Sequence, residues 1–185
     1  FSTVPAAGPT ATLSGLGAYA TWFVQVRALG QGTQVTPYVS LGSTRTLPIF
    51  LAPPAAGAAS VSASSMTATW GLVSGATGYT LVASTMSTYP PVDVLTTSAV
   101  VGGANLTGSV FGLAPNTTHF LFVRAEGPGN SSLYAVFPAT ATDPAAPLAA
   151  PATFTGVTNT AASVNWHQNT NPVGVTTYSV VLSTT

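Results

Sequence analysis

Leu113-Ala-Pro-Asn-Thr-Thr-His-Phe-Leu-Phe-Val-Arg-Ala125 is the stretch whose reading decides the fold. Its second half alternates. His119, Leu121, Val123 and Ala125 share one face, and Phe120, Phe122 and Arg124 share the other, the period of a half-buried strand. The stretch also occurs twice. Leu16-Gly-Ala-Tyr-Ala-Thr-Trp-Phe-Val-Gln-Val-Arg-Ala28 lies 97 residues earlier, aligning Leu16 with Leu113, Phe23 with Phe120, Val26 with Val123 and Arg27 with Arg124. Gly30 and Gly32 match Gly127 and Gly129 at the same spacing, and Pro54 matches Pro151. Trp70 and Trp166 follow at 96, Tyr79 and Tyr178 at 99. Self-similarity at a nearly fixed spacing marks a repeated architectural unit.

The rest of the unit is also strand-like. Met66–Trp70, Tyr79–Ala83 and Tyr178–Leu182 alternate large apolar with small or polar residues, and clusters of Gly, Pro, Asn and Ser punctuate them. No window carries a helical stripe. About seven short strands per unit predict an all-β fold, a two-sheet antiparallel sandwich.

These residues resemble the fibronectin type III family. A Pro-rich entry, Trp70 on the second strand and Tyr79 on the third precede a Leu-x-Pro-x-Thr-x-aromatic-x-Leu-x-Val-x-Ala pattern. Leu113, Pro115, Thr117, Leu121, Val123 and Ala125 match that pattern. The resemblance covers essentially the whole chain and implies tandem sandwiches, while saying almost nothing about activity. One departure stands out: the family's corner tyrosine is His119 here and Trp22 in the earlier copy.

The repeat boundaries cut through domains. Residues 51–144 hold one complete unit. Residues 1–50 hold only the last strands of a unit, expected at Thr10–Leu13, Trp22–Ala28 and Tyr38–Ser40. Residues 145–185 hold only the first three strands of another. The two fragments are complementary, so a tail (145–185) is expected to be completed by residues 1–50 of a neighbouring copy. Reading Thr185 into Phe1 gives an uninterrupted strand pattern, which suits either a longer tandem array or strand exchange between copies.

Composition narrows the function. Of 185 residues, 3% are charged, with three arginines, three acids and zero net charge, against roughly 25% charged in an ordinary domain. There is no basic stripe for nucleic acid and no polybasic patch for lipid headgroups. Mean hydropathy is +0.44, but Pro48, Pro53, Pro54, Pro147 and Pro151 interrupt the longest apolar stretches, so no membrane span is expected. Cysteine is absent, which excludes a disulfide framework and suits a bacterial or archaeal surface protein.

Chemistry is sparse. His119 and His167 lack neighbouring carboxylates in sequence, and His119 reads as a packed core histidine. Asp93 and Asp143 stand alone, too few for calcium. Arg124 and Glu126 share a strand face and read as a surface ion pair. Neither a catalytic site, a metal nor a cofactor is expected, covalent glycans aside. Asn105, Asn116 and Asn130 open Asn-x-Ser/Thr sequons in expected turns, Asn130 in the most accessible one. Val82, Phe120, Phe122 and Arg124 fall on the outward face and are the candidate assembly contacts. The expected role is a structural subunit of an extracellular fibre, stalk or surface array, its partners being copies of itself joined head to tail and surface glycans. The alternative is a spacer or a carbohydrate- or adhesion-binding module of a larger secreted protein.

Overall fold

A computed structural model describes residues 4–183, so the expected junction of Thr185 with Phe1 lies outside the described residues. Packing divides the chain into two units: Phe1–Phe50 with Gly127–Asn130, and Leu51–Glu126 with Ser131–Thr185.

The first unit is built on one hairpin. β1 (Thr21–Val26) and β2 (Val39–Arg45) pair antiparallel from Thr21 opposite Arg45 to Val26 opposite Val39. Between Val24 opposite Gly42 and Gln25 opposite Ser40 the register skips Leu41, a bulge in β2, and the adjoining Gly42 takes a φ of 92° that favours a residue without Cβ. The strand expected at Thr10–Leu13 does not form.

The second unit contains the sandwich. Its first strands are β3 (Ala56–Val61), β4 (Ser65–Trp70), β5 (Gly78–Ser84) and β6 (Val94–Val101). β7 (Thr107–Phe111), β8 (Thr118–Gly127) and the short β9 (Asn130–Ser131), β10 (Ala135–Val136) and β11 (Thr140–Ala141) follow. One sheet has the order β3-β4-β7, the other β10-β8-β5-β6, with β9 and β11 also on β8. Every one of these ladders is antiparallel. Three strands facing four is the fibronectin type III-like arrangement that the sequence resemblance implied.

Alternation builds the core between the sheets. Met66, Ala68 and Trp70 come from β4, Tyr79, Leu81 and Ala83 from β5, Leu121, Val123 and Ala125 from β8. Trp70 and Tyr79 pack with ring centroids 5.3 Å apart, and the Tyr79 hydroxyl donates to the Gly103 carbonyl at 3.1 Å. Residue 108 must be glycine here, since a Cβ would stand 2.8 Å from both the Trp70 ring and the Val100 side chain.

The corner that usually depends on a tyrosine hydroxyl is tied differently. The buried Thr142 hydroxyl donates to the Ala114 carbonyl at 2.6 Å, and its oxygen accepts the Thr117 N–H at 3.2 Å. Thr142 N–H adds a bond to the Thr117 carbonyl at 3.1 Å. His119 is fully buried beside it, as its place in the alternation implies, with Nε2 3.3 Å from the Ala114 oxygen.

Beyond the sandwich, β12 (Leu148–Thr155) and β13 (Ser163–His167) form a further antiparallel hairpin, and His167 ends β13. Residues 178–182, expected as a third strand, form no ladder.

Replacing Thr142 by valine keeps the shape and removes two hydrogen bonds, the one to the Ala114 carbonyl and the one from the Thr117 N–H. Such a loss costs about 1–3 kcal/mol. Denaturant unfolding should show this drop for T142V and near-complete recovery for T142S; an unchanged midpoint for T142V would show the corner is held by something else.

Candidate functional site

The outward face of β8 and its neighbour β5 carries the residues singled out from sequence, and the chain itself covers much of it. Phe122 and Val82 point away from the core, as alternation requires, yet both are buried. Tyr134 stands edge-on to Phe122 at 6.3 Å, and Tyr89 stands edge-on to Tyr134 at 6.5 Å. The Tyr89 hydroxyl accepts the Tyr134 N–H at 3.1 Å, fixing this lid. Val82 and Phe122 therefore offer no free surface to a neighbour, while Phe120 and Arg124 keep part of theirs. An edge-to-face aromatic cluster buries apolar area with only two side-chain torsions per ring, which explains why the face is closed internally.

Arg124 is held by Glu126 and Tyr134, and Glu126 is held in turn by Thr80. The Arg124 Nε donates to Glu126 Oε1 at 2.7 Å, Thr80 Oγ1 donates to the same oxygen at 2.5 Å, and the guanidinium lies 5.1 Å from the Tyr134 ring centroid. Both charged side chains are about one-third exposed, so the pair contributes at most about 1 kcal/mol.

The first unit repeats this geometry. Arg27 lies over Tyr38 at 4.7 Å, 97 and 96 residues before Arg124 and Tyr134. Val26 opposite Val39, Gln25 opposite Ser40 and Trp22 opposite Thr44 reproduce Val123 opposite Ala135, Phe122 opposite Val136 and His119 opposite Thr140. Thr46 ties its corner as Thr142 does, with its hydroxyl 2.6 Å from the Gly17 carbonyl and accepting the Ala20 N–H at 3.1 Å. Tyr19 and Asn116 occupy the same left-handed turn position, φ 51° and 44°.

The chain after residue 147 repeats the other half of the sandwich. Trp166 and Tyr178 pack at 5.5 Å with a 59° tilt, against 5.3 Å and 52° for Trp70 and Tyr79. Thr158 closes its hairpin as Ser62 does, with Thr158 N–H to Ala161 O at 2.7 Å matching Ser62 N–H to Ser65 O at 2.9 Å. What differs is cover. Val26 is 50% exposed and its counterpart Val123 0%; Trp166 is 37% and Trp70 4%; Val180 is 59% and Leu81 0%.

This also explains the two missing strands. The counterpart of Thr10–Leu13 is β7, which pairs with β4, and the counterpart of Tyr178–Leu182 is β5, which lies between β6 and β8. Each segment sits in the fragment that lacks its partner. A lone strand satisfies neither its backbone groups nor its apolar face.

Little else on the chain can do chemistry. Among the described residues, no cluster of three or more His, Asp or Glu could hold a metal, and no helix is long and apolar enough to cross a membrane. Each sequon amide is engaged: Asn105 Nδ2 donates to the Val101 carbonyl, Asn116 Nδ2 to Thr176 Oγ1 at 2.8 Å, and Asn130 Nδ2 to the Ile49 carbonyl. Asn130 opens β9 and is half-buried, so Asn105 is the most exposed of the three. The threonine corner and the tyrosine lid were missed from sequence, although Thr46/Thr142 and Tyr38/Tyr134 recur 96 apart and could have revealed both.

No protein-family model matches the chain, nor does any curated protein. In structure it is similar to the FN1-FN3 domains of chicken CNTN1, at 14% identity and TM-score 0.45, over 70% of this chain and 43% of that one. It is also similar to domains d3-d4 of the rat CD45 extracellular region, at 13% identity and TM-score 0.47, over 76% of this chain and 74% of that one. The fn3 domain of human collagen alpha-1(XX) matches at 22% identity and TM-score 0.42, over 54% of this chain and 92% of that one. The fold assignment rests on the strand order and registers above, which these likenesses accompany.

Tyr134→Ala removes the lid from Phe122. Loss of the aromatic pair together with the uncovered ring should cost about 1–2 kcal/mol. Arg124→Met should cost under about 1 kcal/mol. Equal costs in thermal unfolding would mean the charged network, not the tyrosine, closes this face.

Proposed function

We propose that this chain is a structural subunit of an extracellular fibre, stalk or surface array, at or outside a prokaryotic cell. In this reading, residues 145–185 of one copy and residues 1–50 of another form one sandwich, and the complete unit at 51–144 alternates with these joint units. The observation that carries the reading is the pairing of two incomplete fragments with matching geometry. One reproduces the hairpin and corner of the complete sandwich, the other its opening hairpin and Trp–Tyr pair, and each exposes the side chains that the complete unit buries.

Energetics favour closure. Burying a Val or Leu side chain contributes about 1.5–3 kcal/mol, and several become available at each junction. A joint of this kind is heterologous, so repetition extends it into a filament unless the rotation closes a ring. Low charge fits, since neighbouring copies repel little. Phe120 and Arg124, still partly exposed, are available for lateral packing. Glycans on Asn105, Asn116 or Asn130 would hydrate such a surface. Attachment at any of the three requires its amide to leave its present partner, and Asn105, the most exposed, leads.

Negative-stain electron microscopy of the purified chain tests the reading. Unbranched filaments with an axial repeat of two sandwiches are expected. Discrete particles at high concentration would reject assembly and favour a spacer or glycan-binding module. Intact mass of the natively produced protein should exceed that of the bare polypeptide; equality would remove the glycans from this proposal.

A further inference from the structure

The complete sandwich specifies how the joint is made, residue by residue. β8 uses both edges: β10 and β11 lie on one, β5 on the other. β1 uses the edge equivalent to the first, in the same register, to bind β2, and among the described residues no strand occupies the second. The counterpart of β5 is the segment 178–183, which forms no ladder. Its base is already anchored. Tyr178 packs on Trp166, its hydroxyl donates to the Gln168 carbonyl at 3.2 Å, and Asn171 Nδ2 donates to that hydroxyl at 3.2 Å. From there Val180 and Leu182 extend without cover.

We propose that residues 178–183 of one copy add to the open edge of β1 in a second copy as a central strand, in a single register. The inference rests on the head-to-tail reading above and narrows it to one contact. In β5 and β8, Tyr79 is opposite Ala125, Leu81 opposite Val123, Val82 opposite Phe122 and Ala83 opposite Leu121. Carried over by the repeat spacings, Tyr178 stands opposite Ala28, Val180 opposite Val26, Val181 opposite Gln25 and Leu182 opposite Val24. Side chains support this register. Tyr178, Val180 and Leu182 fall on the inward face with Val24, Val26 and Ala28, while Ser179, Val181 and Ser183 face outward with Phe23, Gln25 and Arg27. Volumes compensate as well: Ala83 against Leu121 becomes Leu182 against Val24, exchanging which strand carries the larger residue. A shift of one residue would turn the whole apolar set to the outside.

The chain has no cysteine, so two introduced thiols report one contact. Gln25→Cys and Val181→Cys replace exposed side chains, Val181 being 86% exposed, and the outward face spares the joint's core. Directly opposite strand positions lie within disulfide reach. Oxidation of the double variant should give a covalent ladder of dimers, trimers and longer species on non-reducing gels. Peptide mapping should find the link between residues 25 and 181. The shifted pair Gln25→Cys with Val180→Cys should cross-link roughly tenfold less, because its thiols face opposite sides. Adding Val180→Asp to the matched pair should abolish the ladder, and that position is open in the free chain.

An intramolecular 25–181 link in dilute protein, equal linking by the shifted pair, or no link would each overturn the proposal. Micrographs of the same samples separate its failure from that of the broader reading. Filaments without the link reject this register alone, and absence of both filaments and links rejects head-to-tail assembly with it.

Discussion

A strand in the middle of a sandwich needs a partner on each edge and cover on its apolar face, and the organisation of this chain follows from where that requirement is met. β5 meets it fully, paired with β6 and β8 over seven residues on each side and facing Met66, Trp70 and Val110 across the core. The equivalent segment 178–183 has the same alternation and the same tyrosine anchor, yet no ladder. Local sequence proposes the strand. Neighbours decide whether it forms.

That distinction separates the parts of the fold that were legible in sequence from those that were not. Alternation in 119–125, the repeated Arg27/Arg124 landmark and the Trp70–Tyr79 spacing placed the sandwich, its core faces and its repeat, because each is a short-range pattern with a fixed period. The Thr10–Leu13 strand failed for the opposite reason: its pattern is local, but the equivalent β7 is held by β4, and among the described residues nothing plays that part beside 10–13. Thr142 illustrates a third case. A threonine in a Thr-Ala-Thr-Asp run carries no sign that its hydroxyl replaces a tyrosine's, and only the approach of Ala114 and Thr117 gives it that role.

The outer face shows how a correct face assignment can still mislead about function. Phe122 points outward, which on a sheet surface reads as a contact residue. Tyr134, twelve positions further on in a loop, reaches back over it, and Tyr89 braces Tyr134 from another loop. The candidate contacts are therefore weighted toward the open edge of β1 and the uncovered side chains after Tyr178, where nothing in the described chain closes the surface. The sparse charge takes on meaning in this setting. Arg27 and Arg124 are one position repeated, each lying over a tyrosine, so even these few charges are part of the repeated unit.

Amide hydrogen exchange on the assembled protein tests the central claim, that the two incomplete fragments satisfy each other. Backbone amides of Val180, Val181 and Leu182 should be protected to the degree seen at Leu81, Val82 and Ala83, and should lose that protection when assembly is blocked. Open-chain exchange over 178–183 within intact filaments would contradict the account, because the strand would then be unpaired in the only state where a partner is supplied.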